Sequence, residues 1–226
     1  MNVVLVDSGG ANIGSVRYAL QRLGVEAQLT AHADAIVRAD RVILPGVGAA
    51  GPGMARLREL GLVDTLRSLQ QPLLGICLGM QLLYDSSEEG EVECLRLLPG
   101  RVRKLVAGAS AVAEPRLLGC ENVTAAENPE CTAAHHAVRV PHMGWNRLRV
   151  CAEEPLLAGI RDGAQAYFVH SYAAPVTADT LASCVHGDPF AAVVRRGRCH
   201  GAQFHPERSA AVGARLLQNF LSDAVA

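Results

Sequence analysis

The 226-residue chain has no surplus of charge of either sign, with 21 Lys and Arg against 22 Asp and Glu and a formal net charge of −1. Nucleic-acid-binding domains usually carry a clustered basic excess, so this balance argues against that class of protein. The sequence also lacks an apolar run of about eighteen residues, and we expect no membrane-spanning helix. Its N-terminal segment, MNVVLVDSGG, lacks the basic region of a secretory signal and is typical of a strand.

Paired metal-ligand spacing is missing as well. The seven cysteines are odd in number, and no two of them form a C-x-x-C pair. His135 and His136 follow Cys131, but no second ligand pair stands near them. In the absence of a secretory signal we therefore expect reduced thiols, a cytoplasmic location, no bound metal and no cofactor.

The first half of the chain alternates short apolar runs with helical patterns. This alternation predicts an α/β fold, in which a doubly wound, mostly parallel central sheet is flanked by helices. The predicted strands span 2–7, 25–30, 41–48 and 71–77, and the predicted helices span 13–24, 54–69 (with a break near Gly61) and 78–87.

The second half is rich in β patterns and predicts an antiparallel extension of the same sheet. Strand-like segments span 98–106, 137–150, 165–174, 180–187, 190–197 and 198–205, before a final helix over 209–221. Residues 106–137 show little periodicity, and we interpret them as a surface insertion. The simplest organisation is one domain over residues 1–226.

The segment Gly75-Ile76-Cys77-Leu78-Gly79 joins an apolar strand to a helix. It is the cysteine form of the nucleophile elbow, in which a sharp turn exposes the nucleophile at the carboxyl end of a sheet. The helix N-terminus favours a thiolate at Cys77, and the N–H of Leu78 points toward the position where an oxyanion would develop. The alternative is a buried structural cysteine at a tight turn.

A nucleophilic thiolate that attacks an amide needs a proton donor for the leaving nitrogen. His205 lies at the end of a predicted strand, and Glu207 follows two residues later, where its carboxylate can orient the imidazole. Alone, this pair is a weak signal, and a strand-end histidine followed by a helix-capping glutamate explains it better. Together with the elbow, it predicts a Cys77–His205–Glu207 catalytic triad.

These motifs resemble those of the class I, triad-type glutamine amidotransferases. Within that family, the resemblance is to the glutaminase subunits of imidazole glycerol phosphate synthase, and it covers the chain except 106–137. It rests on six segments, namely 10–15 (GANIGS), 44–48 (LPGVG), 75–81 (GICLGMQ), 141–146 (PHMGWN), 167–172 (YFVHSY) and 204–209 (FHPERS). Met80 occupies a position where the anthranilate-type and carbamoyl-phosphate-type relatives usually carry histidine.

The resemblance implies the role of each site residue. Cys77 attacks glutamine to give a γ-glutamyl thioester, and His205 protonates the departing ammonia and then activates the hydrolytic water. The oxyanion hole would be formed by Val47, Gly48 and Leu78, and substrate would be bound by Gly46, Gln81, His170, Ser171 and Tyr172.

The resemblance also implies a partner. Ammonia would pass to a cyclase subunit with a (β/α)₈ barrel, in a heterodimer that makes imidazole glycerol phosphate for histidine biosynthesis. The residues that we expect at the interface are Asn12, His142, Met143, Trp145 and Asn146. Neither a nucleic acid nor a membrane is implied.

Three other functions are compatible with the sequence. The chain is also compatible with a different class I amidotransferase or with a γ-glutamyl hydrolase or other cysteine-elbow relative that needs no partner. A non-catalytic regulatory subunit is the third reading, although it would not need the Cys, His and Glu that are all present here.

Overall fold

The structure, a computed structural model, describes residues 1–9, 13–109 and 137–222. The strands are β1 (Val3–Val6), β2 (Ala27–Thr30), β3 (Arg41–Gly46), β4 (Leu73–Cys77), β5 (Ser86–Ser87), β6 (Val92–Glu93), β7 (Arg101–Lys104), β8 (Gly108–Ala109), β9 (Ala137–Val138), β10 (His142–Arg147), β11 (Arg149–Val150), β12 (Gln165–His170), β13 (Tyr172–Ala173), β14 (Thr180–His186), β15 (Asp188–Arg196) and β16 (Cys199–Ala202). The helices are α1 (Ile13–Arg22), α2 (Ala33–Val37), α3 (Ala50–Glu59), α4 (Leu62–Arg67), α5 (Leu78–Gln81) and α6 (Ala210–Phe220), and 3₁₀ turns span Pro155–Leu157 and Pro206–Arg208.

An eight-stranded sheet forms the centre of the fold, in the order β11-β14-β15-β16-β4-β3-β1-β2. The strands from β16 to β2 pair in parallel, whereas β11, β14, β15 and β16 pair with one another antiparallel. The predicted fold class, a mostly parallel sheet with an antiparallel extension, is confirmed.

The parallel strands are buried on both faces because two separate cores cover them. Along β1, Val3 and Leu5 face one core while Val4 and Val6 face the other, as the two-residue period of a strand requires. The first core contains α1 and α6, and the second contains α3 and α4. Continuous apolar runs are expected for strands in such a sheet.

Two helical predictions differ from the structure. The helix predicted over 78–87 ends after one turn, because the carbonyls of Leu82 and Leu83 accept hydrogen bonds from the N–H groups of Leu95, Leu97 and Leu98. Those long-range bonds replace the bonds to residues 86 and 87 that a continuing helix would need. Helix α2 was not predicted, since its five residues are too few to show a helical period.

A separate two-stranded ribbon, formed by antiparallel pairing of β10 with β12, lies beside the main sheet. A four-stranded sheet contains β13, β7, β5 and β6, and β8 pairs with β9. Of the predicted insertion at 106–137, residues 110–136 lie outside the described residues, so the insertion and the single-domain organisation remain predictions. No helix in the described part of the chain is long and apolar enough to cross a membrane.

Candidate active site

The elbow at Cys77 is a strained turn between β4 and α5. Cys77 has φ 53° and ψ −110°, a region that non-glycine residues rarely occupy. The glycines on either side permit this turn, because a Cβ on Gly75 would lie 2.6 Å from the carbonyl oxygen of Gly79, and one on Gly79 would overlap the carbonyl oxygen of Leu44. The short helix therefore rests directly on the backbone of β3.

The carboxyl ends of three neighbouring parallel strands, β3, β4 and β16, lie side by side at one edge of the sheet. Gly46 at the end of β3 lies opposite Cys77 at the end of β4, and Ala202 at the end of β16 lies opposite Ile76. The chain continues from β3 into Val47 and Gly48, and from β16 toward His205. Ligands of open α/β sheets bind at this edge.

His205 hydrogen-bonds both predicted partners. Its Nδ1 lies 2.9 Å from Oε1 of Glu207, and its side chain also hydrogen-bonds Cys77. Burial lowers the pKa of His205, but the hydrogen bonds and charges of Cys77 and Glu207 raise it, to a net value of about 10. His205 therefore holds its proton at neutral pH and is set to donate it toward the nucleophile.

The backbone of the ribbon holds the turn that carries His205. The N–H of His205 donates to the carbonyl of Tyr167 at 3.0 Å, and the N–H of Tyr167 donates to the hydroxyl of Ser209 at 2.9 Å. That hydroxyl donates in turn to the carbonyl of His205 at 2.7 Å. The base is thus positioned by β12 as well as by β16.

A cavity of about 350 Å³ opens beside Cys77, a size typical of a small-molecule site. Most of its lining residues were predicted as site residues, and the full set is Val47, Gly48, Cys77, Leu78, Gln81, Glu89, Pro141, Val169, His170, Ser171, Tyr172 and His205. Gly48 has φ +94°, a conformation open to glycine, and its peptide with Val47 lies on the same cavity wall as the elbow. The structure thus places the predicted oxyanion residues together with the nucleophile.

Gly46 does not line this cavity, and its contact with substrate stays a prediction. Gly46 lines a separate void of about 10 Å³ with Ile13, Val16 and other residues, and a Cβ on it would lie 2.7 Å from the backbone nitrogen of Gly79. It allows β3 to approach the elbow helix, so its small size serves packing. The remaining predicted substrate-binding residues all line the cavity.

The predicted interface residues on β10 are alternately exposed and buried. Met143 and Trp145 are 63% and 52% exposed, whereas His142 is turned inward and only 3% exposed. His142 is therefore not on the exposed face of the strand, because neighbouring strand residues point in opposite directions. Asn146 is half-buried, and Asn12 lies outside the described residues.

Two polar residues of the site were missed by sequence reasoning. The carboxylate of Glu89 lines the cavity and accepts a hydrogen bond from the N–H of Ala50, the first residue of α3, at 2.8 Å. Gln203 is fully buried, and its Nε2 lies 3.8 Å from Sγ of Cys77. Glu89 stands in an acidic stretch without a motif, but Gln203 directly precedes the Phe204-His205 pair and was detectable by its position.

Nothing in the described part of the chain is arranged to hold a metal ion, since no group of three or more His, Cys, Asp or Glu converges there. The site instead combines a buried cysteine sulfur, an imidazole and a carboxylate, which is the arrangement for nucleophilic attack on an acyl carbon.

Comparison with known proteins agrees with this chemistry. The family model described as "Glutamine amidotransferase class-I" matches residues 4–224. The chain is 56% identical over 220 residues to "Imidazole glycerol phosphate synthase subunit HisH" of Xanthomonas euvesicatoria pv. vesicatoria (strain 85-10), a match that covers 97% of this chain and 96% of that protein. It is 54% identical over 219 residues to the protein of the same name from Xylella fastidiosa (strain 9a5c), with the same coverage.

Solved structures show the same fold at lower sequence identity. A structure described as "glutamine amidotransferase" superposes with a TM-score of 0.66 at 20% identity and covers 98% of this chain and 97% of its own. PurLQS from Thermotoga maritima superposes with a TM-score of 0.63 at 16% identity, covering 97% of both chains. From the family match and the long, close matches to relatives, the chain belongs to the class I glutamine amidotransferases and, among them, to the family of imidazole glycerol phosphate synthase subunit HisH.

Proposed function

We propose that this chain is the glutaminase subunit of imidazole glycerol phosphate synthase and that it supplies ammonia to a cyclase partner in histidine biosynthesis. The observation that carries the proposal is the contact of His205 with both Cys77 and Glu207 at the wall of a cavity fit for an amino acid. The family of the chain supports the substrate, L-glutamine.

The reaction begins with attack by the thiolate of Cys77 on the side-chain amide carbon of glutamine. The resulting oxyanion is stabilised by the N–H of Leu78 and by one from the Val47–Gly48 peptide, and loss of one such donor typically costs about 10²–10³ in rate. His205 gives its proton to the leaving nitrogen, ammonia departs, and a thioester remains. The same imidazole then activates the water that releases glutamate.

Charge inside the cavity sets the orientation of the substrate in this proposal. Glu89 provides a carboxylate at the cavity wall, and it suits the α-ammonium group of glutamine. Gln81 and the 170–172 segment line the same cavity and would hold the remaining polar groups of the substrate main chain.

The partner, in this proposal, is a cyclase with a (β/α)₈ barrel that docks against the exposed face of β10. Met143 and Trp145 are large apolar side chains that the fold leaves exposed, and such residues often anchor interfaces. Trp145 packs edge-to-face on Tyr167 at 5.9 Å, and the guanidinium of Arg208 lies 5.6 Å from the centre of the same ring. Asn12 is a further interface candidate, and a cytoplasmic location goes with the same proposal.

The test is a glutaminase assay of the purified chain with and without the candidate cyclase and its ribonucleotide substrate. We expect weak glutamate release from the chain alone and a large increase in the complex. Comparable rates with and without the cyclase would contradict the coupling. A γ-glutamyl hydrolase would instead cleave γ-glutamyl peptides without any partner.

Cys77→Ala separates glutamine hydrolysis from ammonia-dependent synthesis within the same complex. We expect glutamine-dependent synthesis to fall by about 10⁴-fold or more, since removal of a triad nucleophile has effects on this scale, while synthesis from added ammonia persists. Cys151→Ala is the matched control, because that thiol is exposed and lies outside the cavity. Retention of glutamine-dependent synthesis in Cys77→Ala would rule out the proposed nucleophile.

A further inference from the structure

A line of hydrogen bonds, centred on two buried histidines, runs from β10 to the wall of the cavity. The amide nitrogen Nδ2 of Asn146 lies 3.2 Å from Nε2 of His142, and Nδ1 of His142 lies 3.1 Å from Nε2 of His170. Nδ1 of His170 then lies 2.9 Å from the carbonyl oxygen of Tyr172. We name this series, from Asn146 through His142 and His170 to Tyr172, the β10 relay.

Only one arrangement of protons satisfies every link of the β10 relay with neutral rings. The carbonyl of Tyr172 can only accept, so Nδ1 of His170 carries the proton and its Nε2 is an acceptor. Nδ1 of His142 must therefore donate to that Nε2, which leaves Nε2 of His142 to accept from the amide of Asn146. Burial keeps both rings neutral, lowering the pKa of His142 to about 3 and that of His170 to about 4.

The relay continues into the substrate side of the cavity. The carbonyl of Tyr172 also accepts from Nε2 of Gln81 at 2.8 Å, and the same Nε2 donates to Oε1 of Gln203 at 3.0 Å. These two bonds engage both amide hydrogens of Gln81, so its oxygen is the group left to meet a substrate. Nε2 of Gln203 in turn lies 3.8 Å from Sγ of Cys77.

At its other end, the relay begins on a strand whose opposite face is exposed. His142 points inward, while Met143 and Trp145 point outward. The ring of His142 is held by stacking on His186, with centroids 4.0 Å apart, and on Phe168 at 4.9 Å. A shift of β10 therefore moves the imidazole that donates to His170.

From this geometry we propose that His142 is a positioning residue for the substrate side of the site. It fixes the tautomer of His170 and, through the shared carbonyl of Tyr172, the orientation of the Gln81 amide, so that the placement of β10 sets the affinity for substrate. This inference rests on the proposed function, since it takes the cavity to be the glutamine site.

Substitutions at position 142 separate the hydrogen bond from the packing. His142→Phe keeps a ring between Phe168 and His186 but removes the donor to His170. In His142→Asn the amide can donate from near the place of Nδ1, whereas in His142→Gln it lies near the place of Nε2. The relay therefore predicts that Asn, and not Gln or Phe, restores the bond to His170.

Two measurements test these substitutions. Long-range ¹H–¹⁵N NMR of the folded chain reports the tautomers, and we expect Nδ1–H on both His142 and His170 in the unsubstituted chain, with His170 losing this fixed tautomer in His142→Phe. Glutaminase kinetics of the complex measure the effect on substrate affinity. We expect KM for glutamine to rise about fivefold or more in His142→Phe and His142→Gln, because one hydrogen bond contributes a free energy of this size. The change in kcat should be smaller. His142→Asn should lie close to the unsubstituted chain in both readouts.

His186→Phe is the matched control, because it keeps a ring stacked on His142 but changes a residue outside the relay, and its KM should not change. The proposal is overturned if His170 carries its proton on Nε2 in the unsubstituted chain, or if folded His142→Phe has an unchanged KM. It is also overturned if His142→Gln and His142→Asn behave alike. A chain without glutaminase activity would instead refute the proposed function, and the NMR result would still decide the tautomers.

Discussion

The elbow after β4 and the ribbon of β10 and β12 reach the same cavity by different physical means. At the elbow, one continuous segment provides the nucleophile, the turn and the glycines that allow the turn, and steric fit against β3 holds it in place. In the ribbon, side chains from two distant segments are joined by a hydrogen bond between the buried imidazoles of His142 and His170. Steric fit leaves little freedom, whereas a polar network depends on the protonation state of each member.

The two kinds of construction should respond differently to perturbation. The elbow should tolerate changes of pH but not an added methyl group. The ribbon should tolerate changes of shape that keep its rings stacked, but it should be sensitive to acid.

Gly79→Ala should break the elbow and produce the largest change in stability. The new Cβ would overlap the carbonyl oxygen of Leu44, a backbone atom of β3 that cannot move aside without disturbing the sheet. We expect a loss of about 3 kcal/mol or more in the free energy of unfolding, measured by urea denaturation. Gly51→Ala is the control, since no atom lies within 4 Å of its added Cβ and α3 should gain about 0.5–1 kcal/mol.

Equal stabilities of Gly79→Ala and Gly51→Ala would show that the close approach of α5 to β3 is not required. The elbow would then have the same tolerance for change as an ordinary helical position.

Glu207→Gln tests the triad, where the elbow and the turn held by the ribbon meet. The substitution removes a charge that raises the pKa of His205 and replaces a carboxylate acceptor by a neutral amide, so that pKa should fall from about 10, and kcat for glutamine should fall by about 10²-fold. In the double variant with Cys77→Ala both charges are absent while burial remains, and the pKa of His205 should fall further. NMR titration of the His205 ring measures both shifts.

A pKa of His205 that is the same with and without Glu207 would contradict this account of the triad. The stabilising effect of the raised pKa has a definite sign. It is fully present below about pH 6.5 and is lost as the pH rises through about 10.

Acid should destabilise the ribbon, and we expect this effect to be smaller than those of Gly79→Ala and Glu207→Gln. His142 and His170 have folded-state pKa values of about 3 and about 4, below the ordinary 6.5, so the unfolded chain binds protons first as the pH falls. The stability that their neutral rings contribute is therefore complete above about pH 6.5 and is lost toward pH 4. We expect the urea midpoint to fall between pH 7 and pH 5, and to fall less steeply in His142→Phe.

Two other buried histidines do not obscure this comparison. His205 is protonated in the folded chain throughout this range, while the unfolded chain takes up the proton as the pH falls through about 6.5, so it contributes an opposing slope that both proteins share. His200, whose pKa burial lowers to about 4, contributes a slope that both proteins share. An identical pH dependence in His142→Phe would show that the His142 ring does not resist protonation in the folded chain.

Local sequence determined the parts of this protein that rest on short-range chemistry. The apolar runs predicted β1, β3 and β4 because strands buried on both faces must be apolar along their whole length. The glycine-flanked cysteine and the His205–Glu207 spacing predicted the triad, since each motif carries its chemistry within a few residues. The same reasoning did not reveal that Gly46 packs against the elbow helix, or that long-range hydrogen bonds end the helix after Cys77.

Only the tertiary structure decided how the polar residues combine. Glu89 belongs to the site because its acidic stretch folds back onto the start of α3, and Gln203 because β16 lies beside β4. The pairing of β10 with β12 turned His142 inward and left Met143 and Trp145 exposed. A hydrogen bond between residues far apart in the chain depends on strand order and register, which follow from the packing of the whole core and not from any one segment.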